Sequence, residues 1–102
     1  MKAPRRHAPV HPGEILSEKF MKPLGLTTYR VALDCGLRPP RIHAIVHGQR
    51  GITADTALRL GRYFGVTPQF WMNLQAAYDL ALAEDALGVT LTRQVKVLPR
   101  SA

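Results

Sequence analysis

Glycines and prolines cut this chain at short intervals, and their placement allows little other than a run of short helices. Pro12, Pro39 and Pro68 stand where helices begin, because a first-turn residue needs no N–H donor. Gly25, Gly36, Gly48, Gly65 and Gly88 stand where helices end, since glycine accepts the left-handed turn. Thr27, Thr53 and Thr67 fit the cap position, where a hydroxyl accepts a free amide proton of the first turn. Between these marks apolar residues recur at helical spacing.

The predicted helices run from Pro12 to Met21, closed by Pro23 and Gly25, and from about Thr28 to Gly36 with Val31 and Ala32 inward. A third spans Pro39 to His47 with Ile42, Ile45 and Val46 inward, and a fourth runs from Thr53 to Gly65. A long fifth runs from Pro68 to Leu87 and carries Phe70, Trp71, Leu74, Tyr78 and Leu82 along one face. Ala77, Leu80, Ala81 and Leu87 lie off that face, a surplus that predicts a second apolar contact. From Thr90 to Leu98 the residues alternate, which predicts an extended segment or strand with no local partner. The fold class is therefore all-α. A five-helix domain over residues 12–88 sits between a basic tail (1–11) and an extended C-terminal segment (89–102).

At 102 residues there is room for one domain, which excludes a two-domain enzyme, and 46% hydrophobic content is enough to fold it. The single cysteine, Cys35, forms no intramolecular disulfide; beside Gly36 it is expected as a small buried hydrophobe. With no apolar run of membrane length and no secretory leader pattern, the expected compartment is the cytoplasm.

Fourteen Lys and Arg against seven Asp and Glu leave a charge of +7. The base is concentrated: Arg38, Arg41 and Arg50 lie between Gly36 and Arg50 with no acid, whereas Tyr63 to Leu91 holds three acids and no base. Such a local positive field, built mostly from arginine, suits phosphate and guanine.

Helices two and three, joined through Gly36-Leu37-Arg38, have the spacing of a helix-turn-helix. Small Ala32 lets the helices cross closely, and Ile42 and Ile45 anchor the second one. Its outer face is then Arg38, Pro40, Arg41, His43, Ala44 and His47, the face that enters a DNA major groove in such motifs. Tyr29 and Arg30, near the start of helix two, and Arg50, just past helix three, are placed for backbone phosphates.

Several words extend the pattern: His11-Pro12-Gly13-Glu14-Ile15-Leu16, Gly48-Gln49-Arg50-Gly51-Ile52-Thr53, and Phe70-Trp71-Met72-Asn73-Leu74-Gln75. Through them the chain resembles the XRE-type (lambda-repressor-like) helix-turn-helix proteins, and within these the HigA-like antitoxins, also called VapI-like or plasmid-maintenance antidote proteins. The resemblance covers residues 11 to about 80. It implies a dimer that reads inverted half-sites of double-stranded operator DNA upstream of its own operon and neutralises a small HigB- or RelE-like ribonuclease toxin. Two positions depart from the family pattern. Thr28 stands where a glutamine commonly touches a phosphate, and Arg38 replaces the usual Ser or Thr cap, giving up about 1 kcal/mol of capping in exchange for an expected base or phosphate contact.

No catalytic set is visible: the chain has no Gly-rich phosphate loop and no serine elbow, so neither enzyme activity nor a cofactor is expected. His43 and His47 lie four residues apart, but nothing nearby completes a metal shell. The expected dimer interface takes in Trp71, Tyr78, Leu80, Leu82 and Leu87 of the fifth helix, with Trp71 expected either in the core or at that interface, and Val95 and Val97 of the C-terminal segment. Two other readings remain open, a solitary repressor without a toxin and a basic adaptor for RNA or an acidic protein.

Overall fold

The computed structural model describes residues 9–100. Helix α1 covers residues 12–24 as an α-helical start, Pro12–Ile15, a π-helical middle, Leu16–Met21, and an α-helical end, Lys22–Leu24. Helices α2 (Thr28–Cys35), α3 (Pro39–Val46), α4 (Ala54–Phe64), α5 (Pro68–Leu87) and α6 (Thr90–Gln94) follow, and no strand forms among the described residues.

The local chemistry read from the sequence sets most of these boundaries. The hydroxyls of Thr27, Thr53 and Thr67 accept the amide protons of Arg30, Thr56 and Phe70, which caps α2, α4 and α5. Gly25, Gly36 and Gly65 close α1, α2 and α4 in the left-handed conformation.

Two elements differ from expectation. Helix α1 passes through Pro23 and ends only at Gly25. Proline has no N–H and its ring presses on the carbonyl four residues back; here the preceding turn is π-bonded, with the Lys22 amide donating to the Ser17 carbonyl. The five-residue repeat also stacks Leu16 and Met21 on one buried face. At the other end, α6 replaces the first part of the expected strand, and the extended backbone begins only at Val95. With no neighbouring strand to bond, the backbone satisfies itself locally, through Arg93 N–H to Val89 O and Val95 N–H to Leu91 O.

The core is formed by Leu16, Val31, Ala32, Ile42, Ile45, Ala57, Leu60 and Trp71, all fully buried. Of the two places expected for Trp71, the core or a dimer interface, it occupies the core of the monomer and is closed to a second copy. Its ring packs against Phe20, Phe64 and Phe70 at centroid distances of 4.9, 6.3 and 5.1 Å. The reason is position: Trp71 lies in the first turn of α5, where the helix crosses α1 and α4, whereas the exposed Leu80, Leu82 and Leu87 lie beyond that crossing. The basic tail lies mostly outside the described residues. His11, assigned to it, is instead the cap of α1, its Nδ1 accepting the Gly13 amide proton at 2.9 Å.

Candidate nucleic-acid interface

Helices α2 and α3 form the expected pair. Gly36 turns with φ 68°, the Leu37 amide bonds back to the Ala32 carbonyl at 2.8 Å, and fully buried Ala32 leaves room for the crossing. Ile42 and Ile45 anchor α3 inward. Arg38 therefore stands exposed at the N-cap of α3 with its side chain making no cap bond, followed by Pro39 and exposed Pro40. One turn on, the exposed rings of His43 and His47 stack with centroids 4.0 Å apart, and Ala44 is half-buried beside them. The His43 carbonyl lies 2.8 Å from His47 Nδ1, which orients the outer ring. Among the described residues no three His, Cys, Asp or Glu side chains gather to hold a metal.

Beside the start of α3, Arg38, Arg41, Arg50 and Arg59 line an open cleft of ≈ 530 Å³. Asp55 also lines it and is held by Arg59 at 2.7 Å. Arg41 turns partly away from the outer face predicted for it: it is half-buried, its Nη2 donates to Thr53 Oγ1 at 3.2 Å, and its Nε is enclosed without a partner. The side chain is long enough to reach the cap of α4, which lies across the cleft. Arg50 is exposed at the rim, just past α3.

On α2, Tyr29 is exposed and Thr28 half-buried. Arg30 is exposed too, but its Nε is bonded to Asp34 at 2.7 Å. Asp34 also accepts the Tyr63 hydroxyl at 2.6 Å. That hydroxyl, and then the Arg30 bond, hold the Asp34 carboxyl below its ordinary value, while Asp34 raises the Tyr63 phenol. Cys35 is buried as expected, and burial pushes its thiol up, away from reactivity.

The Helix-turn-helix family model matches residues 18–71. Virulence-associated protein I of Dichelobacter nodosus is 57% identical over 75 residues, which is 74% of this chain and 69% of that protein. The Pseudomonas aeruginosa antitoxin HigA, solved with the higBA promoter, superposes with a TM-score of 0.86 at 43% identity, covering 89% of this chain and 99% of that one. The chain belongs to the HigA-like helix-turn-helix family. The structure of antitoxin GraA in complex with its operator likewise matches this HigA-like chain, with a TM-score of 0.87 at 39% identity over 98% of this chain and 99% of that one.

The words that carried the resemblance acquire physical roles in the HigA-like fold. Gly13 lets α1 rest directly on the backbone of α3, because a Cβ there would collide with the Ile45 carbonyl. His11 caps α1, lies edge-on against Tyr78 of α5 at 4.8 Å, and sits next to Gly48 at the end of α3. Gln75, distant in sequence, holds the loop that follows α3 through the Ile52 amide. Sequence reasoning did not find Arg59, Gln75 or Thr53 as parts of this interface. Arg59 and Gln75 reveal themselves only through partners more than twenty residues away, and Thr53 was read only as a helix cap.

Two expected dimer residues, Leu80 and Leu82, are exposed on α5, and Leu87 at its end is exposed as well; Val95 and Val97 are exposed beyond α6. Half-buried Tyr78 helps line an apolar cleft of ≈ 250 Å³ with Val10, Ile15, Leu74 and Ala81. No helix among the described residues is long and apolar enough to cross a membrane.

Proposed function

We propose that this HigA-like chain is a DNA-binding antitoxin that represses its own operon and neutralises a small RelE-like ribonuclease toxin, acting in the cytoplasm by binding rather than catalysis. The observation that carries the reading is the N-terminus of α3. Arg38, without a carboxylate partner among the described residues, projects there beside Pro40 and the stacked His43 and His47, on a scaffold that superposes on relatives solved with promoter or operator DNA. In this reading Arg38, Pro40, His43, Ala44 and His47 face base edges. Thr28, Tyr29, Arg30, Arg41 and Arg50 meet the phosphates that fix the register. Two copies join through the outer half of α5 and the C-terminal segment, at Tyr78, Leu80, Leu82, Leu87, Val95 and Val97, and read inverted half-sites.

A gel shift against the promoter segment upstream of the chain's own reading frame tests the DNA half. A preference for that duplex over a scrambled one of the same length is the expected result. Co-expression with the adjacent small reading frame tests the other half: growth arrest that this chain relieves supports an antitoxin, and a harmless neighbour leaves a solitary repressor.

A further inference from the structure

Arg59 stands on α4, outside the helix-turn-helix, yet its guanidinium reaches back to the turn. Nη1 donates to the Cys35 carbonyl at 2.9 Å and lies 3.4 Å from the Gly36 carbonyl, while Nε is anchored by Asp55 at 2.7 Å. These two carbonyls close α2, and the residues four positions on, which would donate to them in a continuing helix, are Pro39 and Pro40. Neither has an N–H. The two acceptors therefore need a donor from elsewhere, and the negative end of a helix dipole favours a cation. Gly36 makes room for it, since a Cβ there would lie 3.1 Å from Nη1. One turn further along α4, Tyr63 bonds Asp34 and ties the same helix end a second time.

We propose that Arg59 is a positioning residue for operator recognition. It locks the turn from which Arg38 and α3 depart, and so sets the angle at which the recognition helix is presented. This rests on the DNA-binding reading above. Arg38 and Arg50 have no ion-pair partner among the described residues and offer their charge to a duplex, whereas Arg59 has its charge balanced by Asp55 and two of its nitrogens committed to the protein.

The test uses the full chain, the promoter duplex and a scrambled duplex, with binding measured by fluorescence anisotropy over a range of salt. Arg59→Lys keeps the charge but not the planar fork. It is expected to lose about tenfold or more in affinity for the promoter duplex, with scrambled-duplex binding and the slope of log K against log salt unchanged. Arg59→Ala is expected to do the same. The proposal is overturned if Arg59→Lys keeps the native preference. It is equally overturned if Arg59→Ala weakens both duplexes alike and flattens the salt slope by about one, the mark of a direct phosphate ligand. Thermal unfolding checks that each variant is folded at the assay temperature. Should neither be, Asp55→Ala, which releases only the Nε anchor, decides: a smaller loss of preference supports the clamp, and native preference counts against it. A native chain that does not distinguish the two duplexes overturns the DNA-binding reading itself, and the proposal with it.

Discussion

Gln75 on α5 accepts the Ile52 amide proton at 2.7 Å, a bond across 23 residues that fastens the loop after the recognition helix to the last long helix of the domain. Ile52 is only 3% exposed, so water is poorly placed to replace that acceptor. The other end of the Gln75 side chain, Nε2, donates to Asp79. Gln75→Leu keeps the bulk but strands the Ile52 N–H. The expected cost is about 1–3 kcal/mol, read as a lower urea midpoint with an unchanged slope, and Arg50, two residues from the loosened bond, loses its fixed place.

Gly13→Ala is the sharpest packing test. The added methyl has no space beside the Ile45 carbonyl, and a backbone group cannot swing aside as a side chain would. Helix α1 must move off α3, at about 1–3 kcal/mol or more. Gly25→Ala is the control: its left-handed φ of 64° is strained by a Cβ, but nothing lies within 4 Å. Differential scanning calorimetry of the two separates crowding from strain.

Arg38→Ala should lower affinity for the promoter duplex with little effect on folding, because the side chain makes no cap bond. A base contact predicts a loss of about 1–3 kcal/mol and relaxed preference at one base position. A phosphate contact instead predicts an even loss across sequences and a shallower salt slope. Binding-site selection with the variant distinguishes the two.

His11 makes stability depend on pH. Burial lowers its pKa from 6.5, against the opposing pull of Asp79 and the Arg50 backbone, so the folded chain holds the ring neutral more readily than the unfolded chain does. The unfolded state then binds the extra proton. The stabilisation is complete above the unfolded value and is lost as pH falls from there towards the lower folded value. Protonated Nδ1 can no longer accept the Gly13 amide. His11→Asn retains a capping acceptor without titrating. Its urea midpoint should fall less than that of the native chain between pH 7.5 and 5, a range of about 2.5 units around that transition.

Leu80→Glu addresses assembly. Leu80 is 64% exposed on α5, so the charge costs the monomer little. If two copies meet there, the acid is desolvated against its twin, and sedimentation should show a shift to monomer with an unaltered circular dichroism spectrum. A variant that sediments like the native chain would move the interface elsewhere.

The starts and stops of α2 to α5 were legible because they depend on chemistry within a few residues: a threonine hydroxyl, a proline without N–H, a glycine in the left-handed turn. The inward faces of α2 and α3 were legible from helical period, and so was the concentration of arginine around the recognition helix. The tertiary structure decided what those local rules leave open. Pro23 is tolerated because the turn before it is π-bonded, Trp71 is enclosed because three phenylalanines meet it, and Arg41 bends to Thr53 because α4 happens to begin there. Periodicity tells which side of a helix faces inward but not what it faces. Pairs such as Arg59 with Cys35, Gln75 with Ile52 and Gly13 with Ile45 exist only once distant segments have been brought together.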